Sequence, residues 1–197
     1  MSRKQSILEA AAKLFAEKGF DATATAEVAR AAGVAEGTIF RHFKTKEEIL
    51  VQIWTKMMEL YIEEVRKEAD EAPNGLEAVL RMADFHFRFV NKHAAQASVM
   101  FRGFPACFVK AESPHRKYIA ESVSKVLQIT RRSIERGIED GSIREVSAEK
   151  MTFILRGLLM GLTRHKLLGL IDMPDISQEV VEFCRCALAR NGKGVRL

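Results

Sequence analysis

Apolar side chains recur every third or fourth residue along almost the whole chain, which is the repeat of an amphipathic α-helix. The first such segment, 2–18, carries Ile7, Ala11 and Phe15 on one face and is followed by Gly19, a residue that commonly ends helices. Further helices are predicted over 46–71, 76–91, 94–103, 114–140, 148–170 and 175–189. No stretch alternates apolar and polar residues as a strand would. The pattern therefore predicts an all-α protein.

Residues 23–54 contain two short helical segments separated by a glycine. Gly33 can adopt the left-handed conformation that closes the first helix and turns the chain sharply. In the second segment Ile39 and Phe43 stand four residues apart, so both point inward. Residues 45–48, Thr-Lys-Glu-Glu, have the form of a capping box and start a long helix. This arrangement predicts a helix-turn-helix.

The same residues resemble the DNA-binding end of TetR-type transcriptional repressors. The resemblance lies in Val28-Ala29, in 32–43 (Ala-Gly-Val-Ala-Glu-Gly-Thr-Ile-Phe-Arg-His-Phe) and in 45–48. Three positions depart from the family pattern: Ala35 replaces a serine, Phe40 replaces a tyrosine, and Glu36 stands where many members carry a lysine. Each of the first two changes removes a hydroxyl that could contact phosphate. A carboxylate at position 36 can accept a hydrogen bond from cytosine but repels phosphate.

The resemblance implies an architecture of about nine helices in two domains. A helix-turn-helix DNA-binding domain is expected at 1–46, and a helical domain for effector binding and dimerisation at 47–190. Residues 191–197 are expected to form a flexible tail. The long helix that starts at Lys46 would connect the two domains.

The outward face of the second short helix is predicted to read double-stranded DNA. Arg41 is expected to contact a guanine, Thr38 a thymine methyl group, and Gly37 to allow close approach. Phosphate contacts are predicted from the side chains that flank this face, namely Thr25, His42, Lys44 and Lys46. The complete predicted DNA-binding set is Thr25, Gly37, Thr38, Phe40, Arg41, His42, Lys44 and Lys46.

Composition narrows the class of protein further. With 47% hydrophobic residues in 197 positions, the chain can bury a substantial core. The net charge of +5 suits a polyanionic partner without requiring one. The three cysteines follow no zinc or disulfide spacing, so free thiols, no metal and no cofactor are expected. Because the chain shows no leader and no apolar run long enough for a bilayer, we expect a soluble cytoplasmic protein without a membrane partner.

Aromatic and methionine side chains accumulate in the predicted body of the protein. They can simply form its core, or they can line an effector pocket between helices, which methionine would adapt to apolar shapes. His86 and His93 could add polar anchors there, but hydrogen-bonded core histidines or solvated surface histidines are the favoured interpretation. The predicted pocket consists of Trp54, Met58, Tyr61, Met82, Phe85, Phe89, Met100 and Phe104. A small hydrophobic or aromatic effector would suit these walls.

The last two predicted helices carry more apolar surface than one face can bury. Residues 153–162 are apolar nearly all round the helix, and Gly157 and Gly161 would permit close approach of another backbone. We infer a homodimer through these helices, as the resemblance also implies; the alternative is burial within one subunit. The predicted interface consists of Leu158, Gly161, Leu162, Val181, Cys184 and Leu188.

Together these features predict a ligand-responsive transcriptional regulator. It is expected to repress by binding a near-palindromic operator as a dimer, and to be released by a small apolar or aromatic effector. The alternative is a ligand-independent architectural DNA-binding protein. An enzyme is disfavoured because the sequence contains no nucleophile and base pair, phosphate-cradling loop or metal-ligand spacing, and no catalytic residue is predicted.

Overall fold

The computed structural model describes residues 2–101, 114–169 and 172–190, and these residues form an all-α fold. Within them the chain forms nine helices: α1 (Arg3–Lys18), α2 (Thr25–Ala31), α3 (Glu36–His42), α4 (Lys46–Asp70), α5 (Gly75–Lys92), α6 (Ala94–Phe101), α7 (Pro114–Glu139), α8 (Ala148–Leu168) and α9 (Ser177–Leu188). The predicted all-α class is confirmed, and most helix ends lie within two residues of the prediction. The predicted tail at 191–197 lies outside the described residues. None of the described helices is both long and apolar enough to span a lipid bilayer.

One compact unit comprises Met1–Leu60 and His93–Ile119. Here α1 packs against α2 and α6, and α2 packs against α3. Local signals set the helix ends: Ser2 Oγ accepts from the amide of Gln5 at 3.2 Å, and Gly19 ends α1 with φ of 87°. The core of this unit is formed by Ile7, Leu8, Phe15, Val28, Ile39, Phe43, Ile49, Leu50 and Ile53, with several alanines of α1.

A second compact unit comprises Tyr61–Lys92 and Ala120–Leu197. In it α5 packs against α8 and α9. Backbone hydrogen bonds tie the α7–α8 loop to the end of α9: Arg144 N donates to Leu188 O at 2.9 Å, and Arg190 N donates to Ser142 O at 3.1 Å. The core of this unit includes Leu76, Val79, Leu80, Phe87, Ile134, Ile143, Leu155, Val180, Cys184 and Leu188.

Two glycines allow the start of α5 to touch the backbone of α7. A Cβ atom on Gly75 would overlap the backbone nitrogen of Gly137 and lie 2.5 Å from the carbonyl oxygen of Ser133. The α7–α8 loop supplies the cap, since Gly75 N donates to Asp140 Oδ2 at 2.8 Å and Leu76 N donates to Ser142 Oγ at 3.1 Å. Gly75 thus begins α5 and makes a close packing contact with α7.

We expect Gly75→Ala to lower the free energy of unfolding by about 1–3 kcal/mol, the usual cost of overpacking, because the atoms it meets are backbone and cannot rotate away. Gly37→Ala is the matched control. Gly37 lies in α3 with open space around it, so alanine there should be neutral or stabilise by about 0.5–1 kcal/mol. Urea unfolding followed by circular dichroism measures both, and equal midpoints would contradict the packing role.

Candidate functional site

The turn between α2 and α3 has the geometry of a helix-turn-helix. Gly33 has φ of 66°, the left-handed conformation predicted for it, and Val34 N donates to Ala29 O at 3.0 Å across the turn. Ile39 and Phe43 are each 1% exposed in the core of the first unit. Because these two side chains point inward, α3 presents its opposite side outward.

The outward side of α3 carries the predicted DNA-reading residues. Gly37 and Arg41 are exposed, Thr38 is half-buried, and Phe40 is 54% exposed. No ion pair to Arg41 occurs among the described residues. The reading face therefore combines an open glycine, an aromatic ring and an available guanidinium.

Glu36 is held at the start of α3 by a neighbour from α2. The hydroxyl of Thr25 donates to Glu36 Oε1 at 3.1 Å. Thr25 was predicted to contact phosphate, and its hydroxyl proton is engaged with a carboxylate in this structure. A phosphate contact by Thr25 would therefore require that this hydrogen bond be released. The same hydrogen bond fixes the position of the negative charge of Glu36 at the start of α3.

The side chain of Lys46, which was predicted to contact phosphate, contacts the protein backbone. Its ammonium donates to the carbonyl oxygens of Phe20 at 2.8 Å, Asp21 at 3.3 Å and Thr23 at 3.0 Å, and lies 4.5 Å from the centre of the Phe20 ring. These acceptors form the turn between α1 and α2. Because all three donors are directed inward, we withdraw Lys46 from the phosphate-contacting set and assign it a structural role in holding that turn.

Two hydrogen bonds cap the start of α4, where the sequence predicts a capping box. Glu48 N donates to Thr45 Oγ1 at 3.2 Å, and the Glu48 carboxylate accepts from Lys44 N at 2.7 Å. The side chain of Lys44 remains exposed, whereas His42 is half-buried beside the ring of Phe43. Lys44 therefore remains the better placed of the two for a phosphate.

The second unit contains a small apolar cavity of about 30 Å³. A volume of this size accommodates one or two water molecules, whereas drug-sized ligands occupy pockets of roughly 300–1,000 Å³. Its walls come from α4, α5, α7, α8 and α9: Tyr61, Val65, Val79, Met82, Ala83, Val126, Thr130, Leu155, Arg156, Leu159 and Cys184. Burial raises the pKa of the Cys184 thiol to about 11, so this group stays protonated.

A buried chain of polar side chains adjoins the cavity. The Tyr61 hydroxyl lies 3.0 Å from His86 Nδ1, and His86 Nε2 lies 2.8 Å from Thr163 Oγ1. Burial, assisted by the charge of Arg156, lowers the pKa of His86 to about 3. Burial also raises the pKa of Tyr61. His86 is therefore a neutral imidazole with both ring nitrogens hydrogen-bonded.

The residues predicted for the effector pocket separate into four groups. Tyr61 and Met82 line the cavity. Phe85 and Phe89 are buried behind it, with their ring centres 5.4 Å and 5.1 Å from that of Tyr61. Trp54 and Met58 are buried residues of the first unit and do not line the cavity, while the side chain of Met100 and the whole of Phe104 lie outside the described residues.

None of the cavity wall that α7 and α8 contribute was predicted from the sequence. Val126, Thr130, Leu155, Arg156 and Leu159 were not among the predicted pocket residues, although all line the cavity. One signal was available for Arg156, since it is the charged residue within the otherwise apolar run 153–162.

Large apolar side chains are exposed on both α8 and α9. Phe153, Ile154 and Phe183 are 60%, 57% and 59% exposed. Gly157 and Gly161 lie on α8 with open space where a side chain would be. We call these five residues the α8–α9 patch. Exposure of several large apolar side chains together is typical of an interaction surface.

The residues predicted for the dimer interface fall partly inside the subunit. Cys184 and Leu188 are buried in the core of the second unit, so we withdraw both from the interface. Leu158, Leu162 and Val181 are half-buried and pack against that core. Gly161 is exposed and belongs to the α8–α9 patch. The spacing of apolar residues had identified the right helices but not which side of α9 the subunit itself covers.

Comparison with known proteins identifies the family. The model for bacterial regulatory proteins of the tetR family matches residues 7–53, which span α1 to α3 and the start of α4. The HTH-type transcriptional regulator YhgD of Bacillus subtilis (strain 168) is 33% identical over 171 residues, covering 82% of this chain and 83% of the relative. This chain belongs to the TetR family of transcriptional regulators. The predicted resemblance is confirmed.

Two further similar proteins are a regulator of fatty acid metabolism and a regulator of known structure. The fatty acid metabolism regulator protein of Bacillus subtilis (strain 168) is 27% identical over 169 residues, which cover 84% of this chain and 78% of that protein. The structure of the transcriptional regulator FadR from Bacillus subtilis in complex with stearoyl-CoA has a TM-score of 0.72 at 24% identity, and the match covers 93% of this chain and 98% of that chain. Because this chain is only 24% identical to FadR, the similarity between the two structures establishes a shared fold and nothing further.

The buried His86 predicts how the stability of this TetR-family protein depends on pH. Because the folded pKa lies below the unfolded value of about 6.5, the unfolded chain binds the proton more readily, and stability falls as pH drops from 6.5 towards 3. We expect His86 to account for a loss of about 2 kcal/mol between pH 7 and pH 5.

Urea unfolding at pH 7, 6 and 5 tests this expectation. His86→Gln should flatten the pH dependence, whatever its effect on stability at pH 7. Tyr61→Phe is the control, because it removes a hydrogen bond but leaves the imidazole buried, so the pH dependence should remain. An unchanged slope in His86→Gln would show that another group is responsible.

Proposed function

We propose that this TetR-family regulator represses transcription by binding a near-palindromic operator as a homodimer, and that a small apolar effector releases it. The observation that carries the proposal is the outward face of α3, where Gly37, Phe40 and Arg41 are exposed because Ile39 and Phe43 are buried. A helix-turn-helix places this face of its second helix in the major groove.

Arg41 is the proposed base-reading residue. An exposed guanidinium can donate two hydrogen bonds to O6 and N7 of guanine, which discriminates against other bases by about 1–3 kcal/mol. The absence of a side chain at Gly37 favours close approach of the helix backbone to the bases. Thr38 is proposed to contact a thymine methyl group, while His42 and Lys44 set the register through phosphates.

Glu36 adds a preference for a particular base, which the proposed phosphate contacts do not supply. Its carboxylate is held by Thr25 at the start of α3, where it can accept from the amino group of cytosine. The same charge repels phosphate, so α3 should approach the groove with Glu36 towards the bases. We propose that Glu36 and Arg41 together read neighbouring base pairs in each half-site.

A dimer is required because one short helix contacts too few bases for specificity. Two copies related by a two-fold axis can read half-sites in successive major grooves, roughly 34–36 Å apart. The α8–α9 patch is the proposed contact between subunits, since Phe153, Ile154 and Phe183 are large, apolar and exposed, and Gly157 and Gly161 permit close helix packing.

The cavity of the second unit is the proposed effector site. Its wall is predominantly apolar, and the relatives include a fatty acid metabolism regulator and a regulator bound to stearoyl-CoA, so an effector with an acyl chain is the proposed class. An effector of that size must widen the cavity, and Met82 is a flexible part of the wall that can yield. If the effector binds the widened form 1–3 kcal/mol better, operator affinity changes about 5- to 150-fold.

The DNA-reading assignment is tested with Arg41→Ala and Lys44→Ala on an operator selected from a random duplex library. Arg41→Ala should relax the base preference at one position in each half-site, costing about 1–3 kcal/mol on the operator. Lys44→Ala should weaken binding to all duplexes alike and lower the salt dependence by about one ion.

Fluorescence anisotropy with and without excess random duplex measures both effects. A specific repressor keeps its operator in the presence of the competitor, whereas an architectural binder does not. Equal losses on every duplex for both variants would contradict the role of Arg41.

The dimer is tested with Phe183→Glu, which would place a charge in the proposed interface. We expect light scattering coupled to size-exclusion chromatography to show a monomer for this variant and a dimer for the unmodified protein. Phe40→Glu is the matched control, because Phe40 is also an exposed phenylalanine but lies on α3. A Phe183→Glu variant that stays dimeric would exclude the α8–α9 patch as the interface.

A further inference from the structure

The positive charge of Arg156 is isolated in the wall of the cavity. The side chain is half-buried on α8, and no acidic residue occurs among those that line the cavity. Elsewhere in the described part of the second unit, Arg88, Arg131 and Arg185 each pair with carboxylates, but no ion pair involves Arg156. A partly buried charge without a counter-ion is unfavourable, so it needs a reason.

The charge of Arg156 acts on the polar groups beside the cavity. After burial, it is the next cause that lowers the pKa of His86, and the charge of Arg156 and its hydrogen bond to the Tyr61 hydroxyl oppose the burial that raises the pKa of Tyr61. The guanidinium is therefore close to both side chains. The electric potential at this end of the cavity is positive, and the neutral His86 adds no compensating charge.

The other polar groups at the cavity already have hydrogen-bond partners. The Thr130 hydroxyl donates to Val126 O at 3.1 Å, and the Tyr61 hydroxyl is bound to His86 Nδ1. The Cys184 thiol stays protonated and is a weak hydrogen-bonding group. A polar group that enters this cavity would therefore find its strongest partner in the guanidinium of Arg156.

We propose that Arg156 binds an anionic group at one end of the effector, while the apolar part of the effector occupies the space between α5, α7 and α8. This inference rests on the proposed effector site and adds the chemistry that the site selects. A guanidinium presents paired donors that match the two oxygens of a carboxylate or of a phosphate ester. Val65, Val79, Met82, Val126 and Leu159 supply the apolar wall for the chain.

The carboxylate of a fatty acid and the phosphates of an acyl-CoA can both bind a guanidinium. Their charges lie at different distances from the acyl chain. In a free fatty acid the anion ends the chain, so it can meet Arg156 when the chain is in the cavity. In an acyl-CoA the acyl chain ends in a neutral thioester, and the charges lie farther away on the nucleotide. The two sources are distinguished by comparing dodecanoate with lauroyl-CoA, and the need for charge by comparing both with dodecanol.

Isothermal titration calorimetry on the full-length protein, without DNA, tests the inference directly. The unmodified protein should bind dodecanoate or lauroyl-CoA at least roughly tenfold more tightly than dodecanol. Arg156→Gln should weaken binding of the preferred anion roughly 10- to 100-fold and leave binding of dodecanol unchanged. Arg156→Lys should retain part of the preference. Arg164→Gln is the matched control, because Arg164 is an exposed arginine of the same helix, and it should behave as the unmodified protein.

The outcomes separate this inference from the function on which it rests. Equal affinities for the anions and dodecanol, or an anion affinity that Arg156→Gln does not change, would overturn the role of Arg156 while leaving an apolar effector site intact. If none of the three compounds binds, both the effector site and the role of Arg156 are rejected. Circular dichroism at the titration temperature confirms that each variant is folded.

Discussion

The exposed face of α3 depends on the burial of two side chains, Ile39 within the helix and Phe43 directly after its last residue. A helix of seven residues is too short to be stable by itself, so α3 owes its existence to packing against the rest of the first unit. Full burial of two such side chains contributes about 3–6 kcal/mol relative to exposure. Because both are buried, Phe40 and Arg41, which lie between them on the helix, face the solvent. The position of Arg41 is thus a consequence of core packing.

Lys46 holds the turn at the beginning of the helix-turn-helix. Its ammonium satisfies three carbonyl groups of the turn between α1 and α2, which would otherwise depend on water. Lys46 is also the first residue of α4, so the turn before α2 is fastened to the start of the long helix. A cation at a helix start is unfavourable for the helix dipole, and the carbonyl oxygens supply the compensating negative ends of dipoles. The residue therefore helps to hold the turn that precedes the helix-turn-helix.

The sequence was sufficient for the features that depend on local spacing. The helices, the left-handed Gly33 and the inward direction of Ile39 and Phe43 all follow from neighbours within four residues. It was insufficient where the partner is distant in sequence. The carbonyl acceptors of Lys46 lie more than twenty residues away, and periodicity identified an apolar face on α9 without showing that Cys184 and Leu188 are covered by their own subunit. The cavity wall was also incomplete, because α4, α5, α7, α8 and α9 meet there only in the folded chain.

The second unit combines a closed cavity with polar groups that are costly to bury. Tyr61, His86 and Thr163 satisfy one another, whereas Arg156 has its charge without a counter-ion. Under the proposed function, an anion that meets Arg156 would offset part of the cost of widening the apolar wall. Tyr61 belongs to α4, the helix that also carries Lys46 at its start. If an effector moves Tyr61, it acts on the helix to which the turn before α2 is fastened, and this continuity of α4 is the physical basis that we propose for coupling the cavity to α3.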